Sequence, residues 1–156
     1  MISPEQLRRL PLFGMVSEEH LRRIAMVTDE MKADQGEVLF DAGQKAEGLY
    51  ILLRGSVDLL YTVSDSLHPE IRREFLVGEV NPGEVFGISA LIEPYVYTSA
   101  ARTADPVELL KISSDKLCSL CDLEPALGYL FMKRMAQAAL ERLEGTRIQL
   151  AACWNK

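Results

Sequence analysis

The sequence predicts a mostly β protein: an antiparallel β-roll, or jelly roll, with helices before it and a long helix after it. Three observations carry this expectation. Short apolar strands in residues 31–112 are separated by glycine and proline turns. Residues 1–30 hold helix-start signals followed by an apolar face at helical spacing. Residues 113–153 return to helical patterning, with a single proline near their start.

In the first part, Ser3-Pro4-Glu5 is a helix start, a capping hydroxyl followed by proline in the first turn. Ser17 before Glu18, Glu19 and His20 is a second start, and Leu21, Ile24 and Ala25 form its apolar face. In the middle part, Val38-Leu39-Phe40, Leu49 to Leu53, and Val57 to Val63 read as strands, the last two joined by Arg54-Gly55-Ser56. Ser64 to Arg73 is polar and reads as a hairpin excursion into a strand over Glu74 to Val80. Asn81-Pro82-Gly83 is a turn, Val85-Phe86 a strand end, and a short helix opens after Phe86-Gly87. Ser99 to Ala104 and Val107 to Ile112 are the last strands.

In the third part, Ser113-Ser114-Asp115 caps a short helix that Pro125 ends or redirects. From Ala126 the chain can stay helical to about Ala151, roughly 37 Å at the α-helical rise. Leu123, Leu127, Leu130 and Phe131 form one face, expected to pack on the barrel. Met132, Ala136, Ala139, Leu143, Thr146 and Leu150 step by four and three, which is heptad spacing. A homodimer through this helix is therefore expected.

The chain has 156 residues, enough for one domain with one core. With 17 Lys plus Arg against 23 Asp plus Glu, the formal net charge is −6. That argues against nucleic-acid binding, which rests on neutralising phosphates. No run of about 18 apolar residues indicates a membrane span, and the N-terminus lacks the apolar stretch of a signal peptide. A cytoplasmic protein without membrane attachment is expected. The three cysteines do not suggest a disulfide framework.

Residues 83–103, GEVFGISALIEPYVYTSAART, form a turn, a strand end, a short helix and a polar strand of small residues. Such a cradle can present backbone N–H groups to a phosphate. The resemblance is carried by Leu10-Pro11-Leu12-Phe13, by Gln35 to Phe40 with Gly43, and by Leu49 to Val57. Pro82-Gly83-Glu84-Val85-Phe86-Gly87 and Val107 to Ile112 extend it. Together these segments resemble the cyclic-nucleotide-binding domain family over nearly the whole chain. The resemblance implies a β-roll with a phosphate-binding cassette, here Phe86, Gly87, Ile88, Ser89, Ala90, Leu91, Tyr97, Thr98 and Ser99.

The cassette departs from the family pattern at two places. The family's ribose-binding glutamate falls on Ile88, and its phosphate-binding arginine on Tyr97. Ile88 accepts no hydrogen bond, and Tyr97 carries no cation near neutral pH. Each charge-assisted bond is worth roughly 1.5–3 kcal/mol. Losing both predicts binding weaker by two to four decades, at about 1.4 kcal/mol each. Arg102 lies five residues beyond Tyr97, an odd offset that puts it on the other face of a strand. Thr98, Ser99 and Ser89 could still meet a small polar or anionic ligand, although such hydroxyls commonly satisfy local backbone groups.

Cys118-Ser-Leu-Cys121 is a CxxC without a βαβ unit or a second cysteine pair, so packing is the favoured reading. His20 and His68 stand alone, and no nucleophile–base arrangement is evident. No cofactor is indicated. On the long helix, Thr146, Arg142 or Gln149 could touch a ligand base across a dimer, by resemblance to some family members. Regulators of the catabolite activator type continue past this helix into a helix-turn-helix. Here the sequence stops at Lys156. The expectation is a standalone regulatory or sensor module, not an enzyme, acting through a protein partner or a nucleotide-like or other small ligand. The alternatives are a true cAMP or cGMP receptor with an altered pocket, or a redox or metal sensor using Cys118 and Cys121.

Overall fold

A computed structural model describes residues 1–154 of the chain. The N-terminal part is α1 (Pro4–Arg8), a 3₁₀ turn (Pro11–Phe13) and α2 (Glu18–Met26). Ser3 and Gln6 close a reciprocal capping box on α1. The Ser17 hydroxyl accepts from the His20 N–H at 3.3 Å at the start of α2. Leu21, Ile24 and Ala25 are the buried face of α2, as the spacing predicts.

Eight strands follow: β1 (Thr28–Ala33), β2 (Val38–Phe40), β3 (Gly48–Arg54), β4 (Val57–Ser64), β5 (Arg72–Val80), β6 (Val85–Phe86), β7 (Ala100–Thr103) and β8 (Val107–Ser113). They form two four-stranded antiparallel sheets in the orders β1-β8-β3-β6 and β2-β7-β4-β5. The expected roll is therefore present, with Phe40, Leu49, Ile51, Leu59, Phe86, Ala101 and Leu110 among its buried residues. The residues of β3 from Gly48 to Leu52 are all buried, which explains its continuous apolar run.

Strand β1 was not foreseen. It starts inside the stretch expected to be helical, and its sequence, TDEMKA, has no strand-like apolar alternation. It exists because β8 offers it a ladder from Thr28↔Ile112 to Ala33↔Val107. Tertiary pairing overrides weak local preference there. Of the shorter differences, β7 begins at Ala100 rather than Ser99.

The chain ends in α3 (Ser114–Leu123) and α4 (Pro125–Trp154), with Pro125 separating them as expected. Ser113 occupies the cap position of α3 but makes no side-chain cap bond. Helix α4 runs three residues beyond the expected Ala151. Leu127, Phe131 and Met135 hold it on the body of the protein, and the Phe131 ring meets Phe13 edge-on at 6.0 Å. Leu130 packs at the margin of this core. Leu123 does not belong to that face: it lies at the end of α3 and is 77% exposed. The break at Pro125 resets the helical phase, so spacing cannot be carried across it. The six heptad positions from Met132 to Leu150 are all exposed.

The turn between β3 and β4 depends on Gly55. Its φ is +91°, and a Cβ there would lie 2.5 Å from the Pro106 carbonyl oxygen. Gly55→Ala is therefore expected to destabilise the fold by more than about 2 kcal/mol, read as a lower urea midpoint at unchanged slope.

Candidate functional site

The cassette begins where the turn at 81–84 delivers the chain to β6. The Gly83 N–H donates to the Leu52 carbonyl at 2.7 Å, and the Leu52 N–H to the Glu84 carbonyl at 3.1 Å. Strand β6 then pairs Val85 with Ile51 and Phe86 with Tyr50. Gly87 turns the chain in the left-handed region, φ +72°, into a 3₁₀ turn over Ile88–Leu91. A Cβ on Gly87 would sit 3.3 Å from the Gly48 carbonyl and from the Tyr50 and Tyr97 rings, so the fit also favours glycine. Ala90 and Leu91 are buried, while Ile88 and Ser89 are half-buried. The Ala90 carbonyl accepts from the Ser114 hydroxyl and, at 3.8 Å, from the Cys118 thiol. The cassette turn is thus tied to α3.

The returning segment is fixed by backbone bonds to residues 43–46. The Gly43 N–H donates to the Tyr97 carbonyl at 2.8 Å, the Tyr97 N–H to the Gln44 carbonyl at 3.0 Å, and the Ala46 N–H to the Tyr95 carbonyl at 2.7 Å. This places the Tyr97 side chain inside the roll, where it is only 5% exposed. Its hydroxyl donates to the Gly48 carbonyl at 2.6 Å and accepts from the Gly48 N–H at 3.3 Å. Its ring stacks on Phe40, with centroids 3.7 Å apart. Phe40 in turn neighbours Tyr50 at 5.6 Å and Phe86 at 6.2 Å, and those two stack at 5.2 Å. Four aromatic rings therefore fill the roll beside the cassette. Thr98 is exposed and Ser99 half-buried.

The electrostatics follow from that packing. Burial pushes the Tyr50 hydroxyl up to about 12, with Tyr97 and Glu47 adding to the shift. Burial also raises Tyr97, against the opposing effect of its bond to Gly48. Lys111 lies across Gly48 and holds its ammonium 5.9 Å from the Tyr50 ring centroid. Arg102, the remaining candidate cation, stands between β2 and β4 and pairs outward with Glu74 at 3.2 Å. Its side chain bonds Glu74 and no cassette hydroxyl, although strand parity is not the reason: residues 98–99 form a bend, so Tyr97 and Arg102 do not share a strand.

The structure brings the expected cassette residues together, with the Tyr97 side chain turned into the core. Phe40, Gly48 and Tyr50 complete the arrangement and were not expected to take part. Phe40 and Tyr50 stood in recognised motifs, but only the fold brings them against Tyr97. Cys118 and Cys121 are half-buried at the edge of the core. Burial raises both thiols, Cys121 to about 11, so neither is a thiolate near neutral pH. Among the described residues no group of three or more His, Cys, Asp or Glu is placed to hold a metal ion.

The family model for the cyclic nucleotide-binding domain matches residues 30–124, the roll together with α3. The chain belongs to that family. A solved Geobacter metallireducens GS-15 protein assigned to cyclic nucleotide binding is 37% identical, with a TM-score of 0.79, over 92% of this chain and 99% of that one. The cAMP-activated global transcriptional regulator CRP of Pasteurella multocida is 32% identical over 114 residues, 72% of this chain and 50% of the regulator. A CRP-like cAMP-activated regulator of Mycobacterium tuberculosis is 24% identical over 94% of this chain and 61% of its own length. The chain thus spans about half to three-fifths of these curated regulators. No helix among the described residues is long and apolar enough to cross a membrane.

Within this cyclic nucleotide-binding domain, the buried tyrosine is a structural element. Tyr97→Phe removes the hydroxyl that serves both Gly48 backbone groups and is expected to cost about 1–2 kcal/mol in urea denaturation. The raised tyrosines and thiols together lower stability at alkaline pH. The unfolded chain releases the tyrosine protons above about pH 10, while folded Tyr50 retains its proton to about pH 12. The folded state then binds more protons, so stability falls as pH rises through this window. Denaturation at stepped pH should show full stability below about pH 8, a first decline as the unfolded-state thiols of Cys118 and Cys121 ionise, and a further decline above about pH 10 from the tyrosines.

Proposed function

We propose that this chain is a regulatory binding module of the cyclic nucleotide-binding family whose roll interior is closed to cAMP and cGMP. It works without catalysis, through a dimer, a protein partner or a different small ligand. The observation that carries this reading is Tyr97, bonded to Gly48 and stacked on Phe40 at the position of the family's phosphate-binding arginine. The apolar Ile88, at the family's glutamate position, supports it.

The energetic case has two parts. The missing arginine and glutamate remove about 3–6 kcal/mol of ligand contacts. A nucleotide would also have to displace the Tyr97 ring, forfeiting a hydrogen bond of about 1 kcal/mol and stacking of about 0.5–1.5 kcal/mol. Calorimetric titration with cAMP and then cGMP should give no binding heat up to millimolar ligand. Micromolar affinity would falsify this reading and return the protein to the cyclic-nucleotide receptors.

The exposed seam on α4, with Met132, Leu143 and Leu150 at its wider positions, supports a homodimer. Light scattering at tens of micromolar is expected to give twice the 17.5 kDa chain mass, and Leu143→Glu to return it to one. A wild-type monomer at that concentration would count against the interface.

A further inference from the structure

Helix α4 and the roll separate beyond Met135 and leave a cleft of about 480 Å³ between them. Small residues on both walls create the gap: Gly78 and Gly83 on the roll, Ala138 and Gly145 on the helix. The apolar part of the wall is Leu12, Val77 and Val85. Arg142 spans the cleft and donates to the Val85 carbonyl. It is half-buried, and burial lowers its pKa. Glu84 and Glu141 act on it electrostatically. Among the described residues, however, no carboxylate lies within the 4.0 Å of an ion pair. Among the described residues the Val85 carbonyl is its one hydrogen-bond acceptor, and its remaining donors open onto the cleft, where solvent or a ligand can take them.

The neighbouring charges decide what could complete it. Glu79 accepts from the Ser56 hydroxyl at 3.0 Å, Glu84 from the Asn81 N–H at 2.9 Å, and Arg134 donates to Gln137 at 3.3 Å. Arg142 and Glu141, neighbours on α4, line the cleft with no side-chain partner of this kind among the described residues. A net anion would meet three carboxylates there, and a net cation two guanidiniums. A molecule carrying one charge of each sign can set its anionic group on Arg142 and its cationic group on Glu141. The volume falls in the range of small-molecule sites.

We propose that this cleft binds a zwitterionic α-amino acid with an apolar side chain. Its carboxylate sits on Arg142, its ammonium faces Glu141, and its side chain lies on Leu12, Val77 and Val85. This rests on the reading above that the module senses something other than a nucleotide in the roll. At about 100° per residue, the cleft positions Arg134, Glu141 and Gly145 lie on the opposite side of α4 from Met132, Leu143 and Leu150. That wall of the cleft points away from a dimer built on the seam, and Arg142 stands at its edge, about 100° from Leu143. A ligand held between helix and roll biases the position of α4, and with it the seam.

The test is calorimetry on the full chain with L-leucine, N-acetyl-L-leucine and L-leucinamide, alongside amide NMR. Leucine is expected to bind with Kd below about 1 mM, and the two capped analogues at least about tenfold more weakly. The Gly78, Gly83 and Gly145 amide signals should shift. Arg142→Gln should weaken leucine binding by at least about tenfold. Glu141→Gln, at an exposed helix position that keeps the fold, should do the same. The proposal is overturned if neither leucine nor L-phenylalanine binds at about 10 mM. Equal binding of the capped analogues, or shifts at Gly43, Gly48 and Gly87 instead, would also overturn it. The cAMP titration reports separately on the closed roll, so failure of one reading is not mistaken for failure of the other.

Discussion

The arrangement of this domain depends on one buried hydroxyl. Tyr97 closes both backbone groups of Gly48, the first residue of β3, while its ring stacks on Phe40. A phenol inside a roll is tolerable only when its oxygen is hydrogen-bonded, because an unmet buried polar group costs about 1–3 kcal/mol. Gly48 can serve it because the neighbouring loop, residues 43–46, is stapled to the returning cassette strand. Gly48 itself must remain small, since a Cβ there would lie 2.6 Å from the Lys111 side chain. The cassette, the loop and the start of β3 therefore hold one another in place. Each of these contacts lies within the chain.

From that anchor the structure extends in one direction toward the helices. The cassette turn offers the Ala90 carbonyl to Ser114 on α3, and Cys121 packs against Gly128 at the beginning of α4. Leu127, Phe131 and Met135 then seal the first turns of α4 on the body. Beyond them, Arg142 donates a hydrogen bond back to the strand that leads into the cassette. The near part of α4 is held by a packed core, which does not deform continuously.

The cysteine pair shows how the same packing decides chemistry. The CxxC spacing is compatible with redox work, but reactivity needs a thiolate. Burial beside Asp122 and Asp115 holds the Cys118 proton, and burial with Cys118 and Asp122 nearby holds that of Cys121. Both side chains pack at the edge of the core between the helices and the cassette.

Much of this was legible in the sequence because it is written locally. Turn glycines, capping serines, the apolar runs of β3 and β8, and the break at Pro125 each act within a few residues. So does the substitution of Ile88 and Tyr97 at the cassette, where residue type alone removes a carboxylate and a cation. Strand β1 was not legible, because its polar sequence becomes a strand only when β8 presents a ladder 79 residues later. Nor was the fate of Leu123, whose phase is broken by Pro125. That Tyr97 turns inward, that Phe40, Gly48 and Tyr50 receive it, and that Arg142 bridges a cleft were decided only by the tertiary structure. Those contacts join residues about 40–60 positions apart, and a one-dimensional pattern carries residue identity but not the distance between partners.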